Sequence, residues 1–147
     1  MFRHLLVPTD GSELALAAVE RAVAFAKALN ARITFFYAQP DFPLPVYGEG
    51  ALIDPTTPEQ FRKAAQEEAN TILNSAKEKA SEAGVEADTD TVVSDAPADA
   101  IIDAAQRHGC DLIFIASHGR SGIARLLLGS VTNKVLSHTK LPVLVYR

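Results

Sequence analysis

Short apolar runs alternate along this chain with longer stretches in which apolar residues return every three or four positions. Leu5-Leu6-Val7 is an unbroken run that stops at Pro8, the pattern of a strand covered on both faces. Ala15, Val19, Ala22, Ala26 and Leu29 then mark one stripe of an amphipathic helix, and Ser12 stands where its N-cap belongs. Ile33 to Ala38, β-branched and aromatic, predicts a second strand. Thr57-Pro58-Glu59-Gln60 has the form of a capping box with proline in the first turn. The helix it opens runs along Phe61, Ala65, Ala69, Ile72, Ala76, Ala80 and Ala83, and Gly84 stops it. Thr89 to Val93 is the third predicted strand, and a helix from near Pro97 to near Gly109 buries Ile101, Ile102 and Ala105. Leu112 to Ile115 is the fourth strand. Val131, Val135 and Leu136 share a face of the last helix, and Val143-Leu144-Val145, after Pro142, is the fifth strand.

Five strands alternating with helices predict an α/β fold with right-handed crossovers and a parallel sheet covered on both faces. Such sheets hold ligands beyond the carboxyl ends of their strands, where the strand order reverses. The first strand ends at Pro8-Thr9-Asp10, the second near Ala38 and the fourth at Ala116. If the first and fourth are neighbours, Asp10 faces the loop Ala116-Ser117-His118-Gly119, which continues through nine residues to Gly129-Ser130-Val131-Thr132. Glycines between a strand and a helix let backbone N–H groups approach an anion, and the helix N-terminus adds partial positive charge. A phosphate-bearing ligand is the expectation.

Composition narrows the setting. The 147 residues suit one domain, 1–147, with a full core, and 48% apolar with 22% charged residues is the balance of a soluble globule. A net charge of -4 without clustered Lys and Arg argues against nucleic-acid and acidic-membrane binding. The single Cys110 excludes an internal disulfide framework and zinc-finger spacing, and its place before an apolar strand suits a structural thiol. Without a signal-peptide pattern or a membrane-length apolar run, a cytoplasmic location is expected.

Gln39 to Thr56 is too long and too proline-rich for an ordinary connection. It follows the second strand on the ligand edge, so it is either a lid with Phe42 or Tyr47 as apolar cover or a surface excursion. The apolar last strand invites pairing with a second copy through Val143, Leu144 and Val145, which makes a homodimer.

The loop spacing, the segment Val7-Pro8-Thr9-Asp10-Gly11-Ser12 and the ending Pro142-Val143-Leu144-Val145 together resemble the adenine-nucleotide-binding branch of the universal stress protein family over essentially the whole chain. The family pattern is Gly-x2-Gly-x9-Gly-(Ser/Thr), and here Ala116 replaces its first glycine. The resemblance implies a Rossmann-like, adenine nucleotide α-hydrolase-like sheet of order 3-2-1-4-5 and a dimeric protein. It also implies ATP as ligand, with Mg²⁺ on its phosphates and Asp10 the nearest candidate ligand; AMP or another adenine nucleotide is the alternative. By position, Pro8, Thr9 and Asp10 border the adenosine, and Ala38 holds the adenine edge through its backbone. Ile115 and Ala116 lie under the ribose and first phosphate, and His118, Gly119, Gly129, Ser130, Val131 and Thr132 surround the phosphates, with the Ser130 and Thr132 hydroxyls on phosphate oxygens. If Ala116 needed positive φ its methyl would weaken binding; at the end of a strand, only a small contact is lost.

Each residue also has a plainer role: Asp10 as a turn or N-cap residue, His118 as a loop histidine, Ser130 as a helix cap, and Arg120 and Arg125 as solvated charge. No Ser-His-Asp set, nucleophile elbow or complete Walker loop occurs, so no catalytic residue is assigned. The function expected is a nucleotide-gated stress-response regulator with little or no ATP turnover, acting on a client protein that the sequence does not identify. The alternatives are a slow ATPase or other nucleotide-using enzyme of the adenine α-hydrolase type, and a dimeric interaction protein with a vestigial pocket.

Overall fold

The computed structural model describes residues 1–42, 57–119 and 128–147. Its elements alternate from β1 (His4–Pro8), α1 (Glu13–Leu29) and β2 (Arg32–Gln39) through α2 (Pro58–Glu82), β3 (Ala87–Val93) and α3 (Pro97–Arg107) to β4 (Leu112–Ala116), α4 (Ser130–His138) and β5 (Val143–Tyr146). All five strands are parallel in one sheet of order β3-β2-β1-β4-β5. The chain lays β2 and β3 to one side of β1, then returns to place β4 on the other. The switch point therefore falls between β1 and β4.

The two-residue period of the strands divides the core. Leu5, Val7, Ile33, Phe35, Leu112 and Phe114 point to the face covered by α1 and α2. Leu6, Phe36, Ile113 and Ile115 point to the opposite face, under α3 and α4. Alternating side chains thus serve two cores, which is why these strands appear as continuous apolar runs. On the first face the helices contribute mainly alanines, with Ala22, Ala26, Ala69 and Ala80 almost wholly buried, so α1 and α2 lie close on the sheet.

Local signals act as the sequence suggests. Ser12 caps α1, its hydroxyl accepting from Ala15 N at 3.3 Å. Thr57 and Gln60 form the reciprocal capping box of α2. Gly84 takes φ +75° after α2, a conformation that would strain a residue with a Cβ. Three packing expectations change. In α2 it is Leu73 that is buried, with Ile72 packed at the margin, because α2 lies against both β2 and β3. In α3, Ala98 and Ala104 join Ile101 and Ala105 in the core while Ile102 is only half-buried. In α4 the buried positions are Thr132 and Val135, and Leu136 is 39% exposed.

Candidate functional site

Two turns meet at the switch point. Beyond β1, Thr9 extends the ladder by one bond, Thr9 N to Phe36 O at 2.9 Å, and is itself buried. The Asp10 carboxylate accepts from Ser12 N at 2.9 Å, closing a turn in which Gly11 has φ +75°. Beyond β4, Ser117 N donates to Tyr146 O at 2.7 Å, and Ser117 O accepts from Gly129 N at 2.7 Å. The Thr132 hydroxyl donates to Ala116 O at 2.7 Å. These bonds tie the first turn of α4 to the end of β4, so both ends of the intervening loop are fixed.

Two glycines lie where the chain approaches itself closely. A Cβ on Gly119 would lie 2.6 Å from Asp10 Oδ2, which shows how tightly the β1 turn and the β4 loop are apposed. A Cβ on Gly129 would lie 3.1 Å from Ser117 O and 3.3 Å from the His118 α-carbon. The space that Gly129 leaves is therefore taken by the protein's own loop.

A cavity of about 750 Å³ opens between these turns. The residues singled out from the sequence all lie on its wall: Pro8, Thr9 and Asp10 after β1, Ala38 on β2, Ile115 and Ala116 on β4, His118 and Gly119 after it, and Gly129 to Thr132 at α4. Ala116 closes β4 without positive φ, and its methyl joins the core under α1. Ser130 is the first helical residue of α4; the N-cap is Gly129, and no side chain caps the helix. The N–H groups of that turn, which have no intrahelical acceptor, stand at the cavity wall. The roles of the two α4 hydroxyls therefore separate: Thr132 is committed to Ala116 O, whereas Ser130 is exposed.

His118 holds Ser117 Oγ at 2.9 Å through Nδ1, while its Nε2 is buried without a hydrogen-bond partner. Asp10 is the one Asp, Glu, Lys or Arg among the described lining residues. Among the described residues no group of three His, Cys, Asp or Glu side chains could hold a metal. Arg120 and Arg125 lie outside the described residues. Cys110 is buried, and desolvation pushes its thiol up to about 12, in keeping with an inert structural thiol.

Several lining residues were not anticipated, chiefly Phe36, Pro97, Ile101 and Leu128. Pro97 and Ile101 belong to the start of α3, which the β3 crossover brings to the same edge. Their apolar character looks like core in the sequence, and no local signal separates a core position from a cavity wall. Of the two rings expected over the ligand, Phe42 packs edge-on against Phe61 of α2, centroids 5.5 Å apart, and Tyr47 lies outside the described residues. Among the described residues of that segment, Pro40 lies on the cavity wall, and the lid expected over 43–56 lies outside the described residues.

Among the described residues no helix is long and apolar enough to cross a membrane. The model of the Universal stress protein family matches residues 1–147. Universal stress protein YxiE of Bacillus subtilis is 34% identical over 151 residues, covering 100% of this chain and 100% of its own. Protein MJ0577 of Methanocaldococcus jannaschii superposes with a TM-score of 0.80 at 25% identity, over 99% of this chain and 95% of that one. A universal stress protein solved in complex with cAMP superposes with a TM-score of 0.72 at 30% identity, over 99% and 97%.

Proposed function

The chain belongs to the universal stress protein family, and we propose that it binds an adenine nucleotide, ATP first among them, between the carboxyl ends of β1 and β4. The observation that carries this reading is the cavity of about 750 Å³ that gathers the Asp10 turn and the uncapped N-terminus of α4. Apolar walls from Phe36, Ala38, Ile101 and Ile115 suit a planar base. The N–H groups of Ser130 to Thr132 and the Ser130 hydroxyl suit phosphate oxygens. Asp10 supplies the carboxylate for a ribose hydroxyl or for Mg²⁺ carried by the phosphates. The relative solved with cAMP adds support for an adenine nucleotide.

In this reading the protein is a cytoplasmic homodimer that works in the stress response as a nucleotide-gated binder of a client protein. Efficient phosphoryl transfer needs a positioned water and charge stabilisation. Among the described lining residues Asp10 and His118 are the titrating side chains other than the buried Tyr37, and Asp10 is tied into its own turn. Turnover is expected far below the ordinary enzyme median of about 10 per second. The β5 edge, with no charged residue from Val143 to Tyr146, pairs with its symmetry mate in the dimer.

Calorimetric titration of nucleotide-free protein with ATP, ADP, AMP and GTP tests the site, with adenine nucleotides expected to bind and GTP to bind weakly. Equal affinity for GTP, or no binding at all, overturns it. Light scattering that gives a monomer at micromolar concentration overturns the dimer.

A further inference from the structure

At the opposite end of the sheet His4, the first residue of β1, is buried with 6% of its surface exposed. Its Nε2 lies 2.7 Å from Oγ1 of Thr34 on β2, a residue with no exposed surface, and its Nδ1 has no hydrogen-bond partner. Two tautomers are possible. With the proton on Nε2, the ring donates to Thr34 and Nδ1 keeps an unused lone pair. With the proton on Nδ1, a buried N–H is orphaned, which costs more. A second proton on the ring forces that orphan N–H and adds a buried positive charge.

The surroundings do not relieve it. Facing His4 are Arg32 on β2, Asp88 on β3, His108 at the end of α3 and Asp111 before β4. The Asp111 carboxylate is already engaged by the backbone N–H groups of Arg3 and His4, at 2.9 and 3.0 Å. Asp90 on β3 is engaged by His108 Nε2 at 2.8 Å and by Arg107 at 3.1 Å. A proton on His108 strengthens its bond to Asp90 and repels a proton on His4.

We propose that His4 is an acid-sensitive latch: while neutral its ring bonds β1 to Thr34 on β2 at the amino end of the sheet, where the His4 backbone also ties the α3-to-β4 turn, and its protonation releases that end of the molecule. Burial first, then the charges of Arg32 and His108, hold the His4 imidazole below its ordinary value, outweighing the carboxylates. The sign follows from linkage. The unfolded chain protonates His4 more readily than the folded one, so this stabilisation is complete at neutral pH and is lost as pH falls below the ordinary imidazole value.

The test needs no nucleotide, so its outcome is independent of the binding reading. Unfolding free energy is measured by denaturant titration between pH 7.5 and 5 for the native sequence and His4→Gln. The glutamine amide introduced there can still donate to Thr34. The native sequence is expected to take up as much as one proton more on unfolding than the variant. Hydrogen-exchange protection of the Arg32 and Asp111 amides, which donate across this end, is expected to fall on acidification in the native sequence. Protection of Thr9 and Ser117, at the cavity end, is expected to hold. The ring-proton NMR signal of His4 is read in the folded native protein, so the test survives even if the variant does not fold. A His4 ring that titrates as a free imidazole does, a variant that keeps the native pH slope, or protection lost equally at both ends overturns the latch.

Discussion

The two ends of this sheet handle polarity in opposite ways. At the amino end and along β3, charged groups answer one another: Asp111 caps the N–H groups of Arg3 and His4, and Asp90, midway along β3, joins Arg107 and His108 at the end of α3. At the carboxyl end, the first turn of α4 has no side-chain cap, and the polar groups of two turns border an open cavity. Among the described residues each end also holds one buried imidazole nitrogen without a partner, on His4 and on His118. The contrast teaches how to separate structural polarity from polarity intended for a ligand. Structural polar groups, His4 Nδ1 apart, are satisfied within the fold, whereas those bordering the cavity are held in place by neighbours and left facing space.

The comparison breaks most severely at Gly129. In Gly129→Val the branched side chain must push against Ser117 O and the His118 backbone, opening the bond between Gly129 N and Ser117 O. Nucleotide affinity should fall by about a hundredfold or more, as from the loss of two charge-assisted hydrogen bonds of ~1.5 kcal/mol each. Stability should also fall, by roughly 1–3 kcal/mol from overpacking. Calorimetry and denaturant unfolding check the pair, and unchanged affinity would refute the proposed phosphate seat.

Asp10→Ala comes next. It removes a carboxylate that ties its own turn and lies where a Gly119 Cβ would project, so affinity should drop about tenfold with a smaller effect on stability, on the scale of one bond to a charged group. Titration with ATP in the presence and absence of Mg²⁺ measures it. A loss that appears only with Mg²⁺ would assign Asp10 to the cation.

Away from the cavity wall, on β3, Asp90→Asn should leave nucleotide affinity unchanged and cost ~0.5–1 kcal/mol, discounted because its partners are partly exposed. Burial raises the Asp90 carboxyl, yet the bonds from His108 and Arg107 outweigh it and hold the group below its ordinary value. The stabilisation is therefore present above the unfolded carboxyl value and lost as pH falls through the lowered folded one. Acid unfolding below about pH 4 should be shallower in the Asp90→Asn variant than in the native protein. Among the changes on the cavity wall, Ala116→Gly is expected to have the smallest effect on binding. The methyl packs toward α1, so affinity should change less than about fourfold, near the ~0.8 kcal/mol of one methylene.

Most of the scaffold was legible because its signals are local or periodic. The Ser12 cap, the Thr57 capping box and the Gly84 stop depend on residues within a few positions of one another. The site was legible where it depends on strand ends, since Asp10 and Gly119 each follow a strand at the edge where such folds bind. What the pattern could not show is which helical residue faces inward when two lie side by side, as with Ile72 and Leu73. That choice depends on the angle at which α2 crosses β2 and β3. Phe42 escaped for a related reason: its partner Phe61 is distant in sequence and meets it only once α2 is docked.

The order of elements, the two-sided burial of the strands and the edge at which the cavity opens were all written into the chain, because they follow from hydrophobic period and backbone chemistry. What each polar group does there was settled by the packing of the folded chain. It committed the Thr132 hydroxyl to Ala116 O, filled the space beside Gly129 with the protein's own loop and sealed His4 against Thr34. Those outcomes depend on ångström-scale distances between elements far apart in the chain, and hydrophobic period carries no such distances.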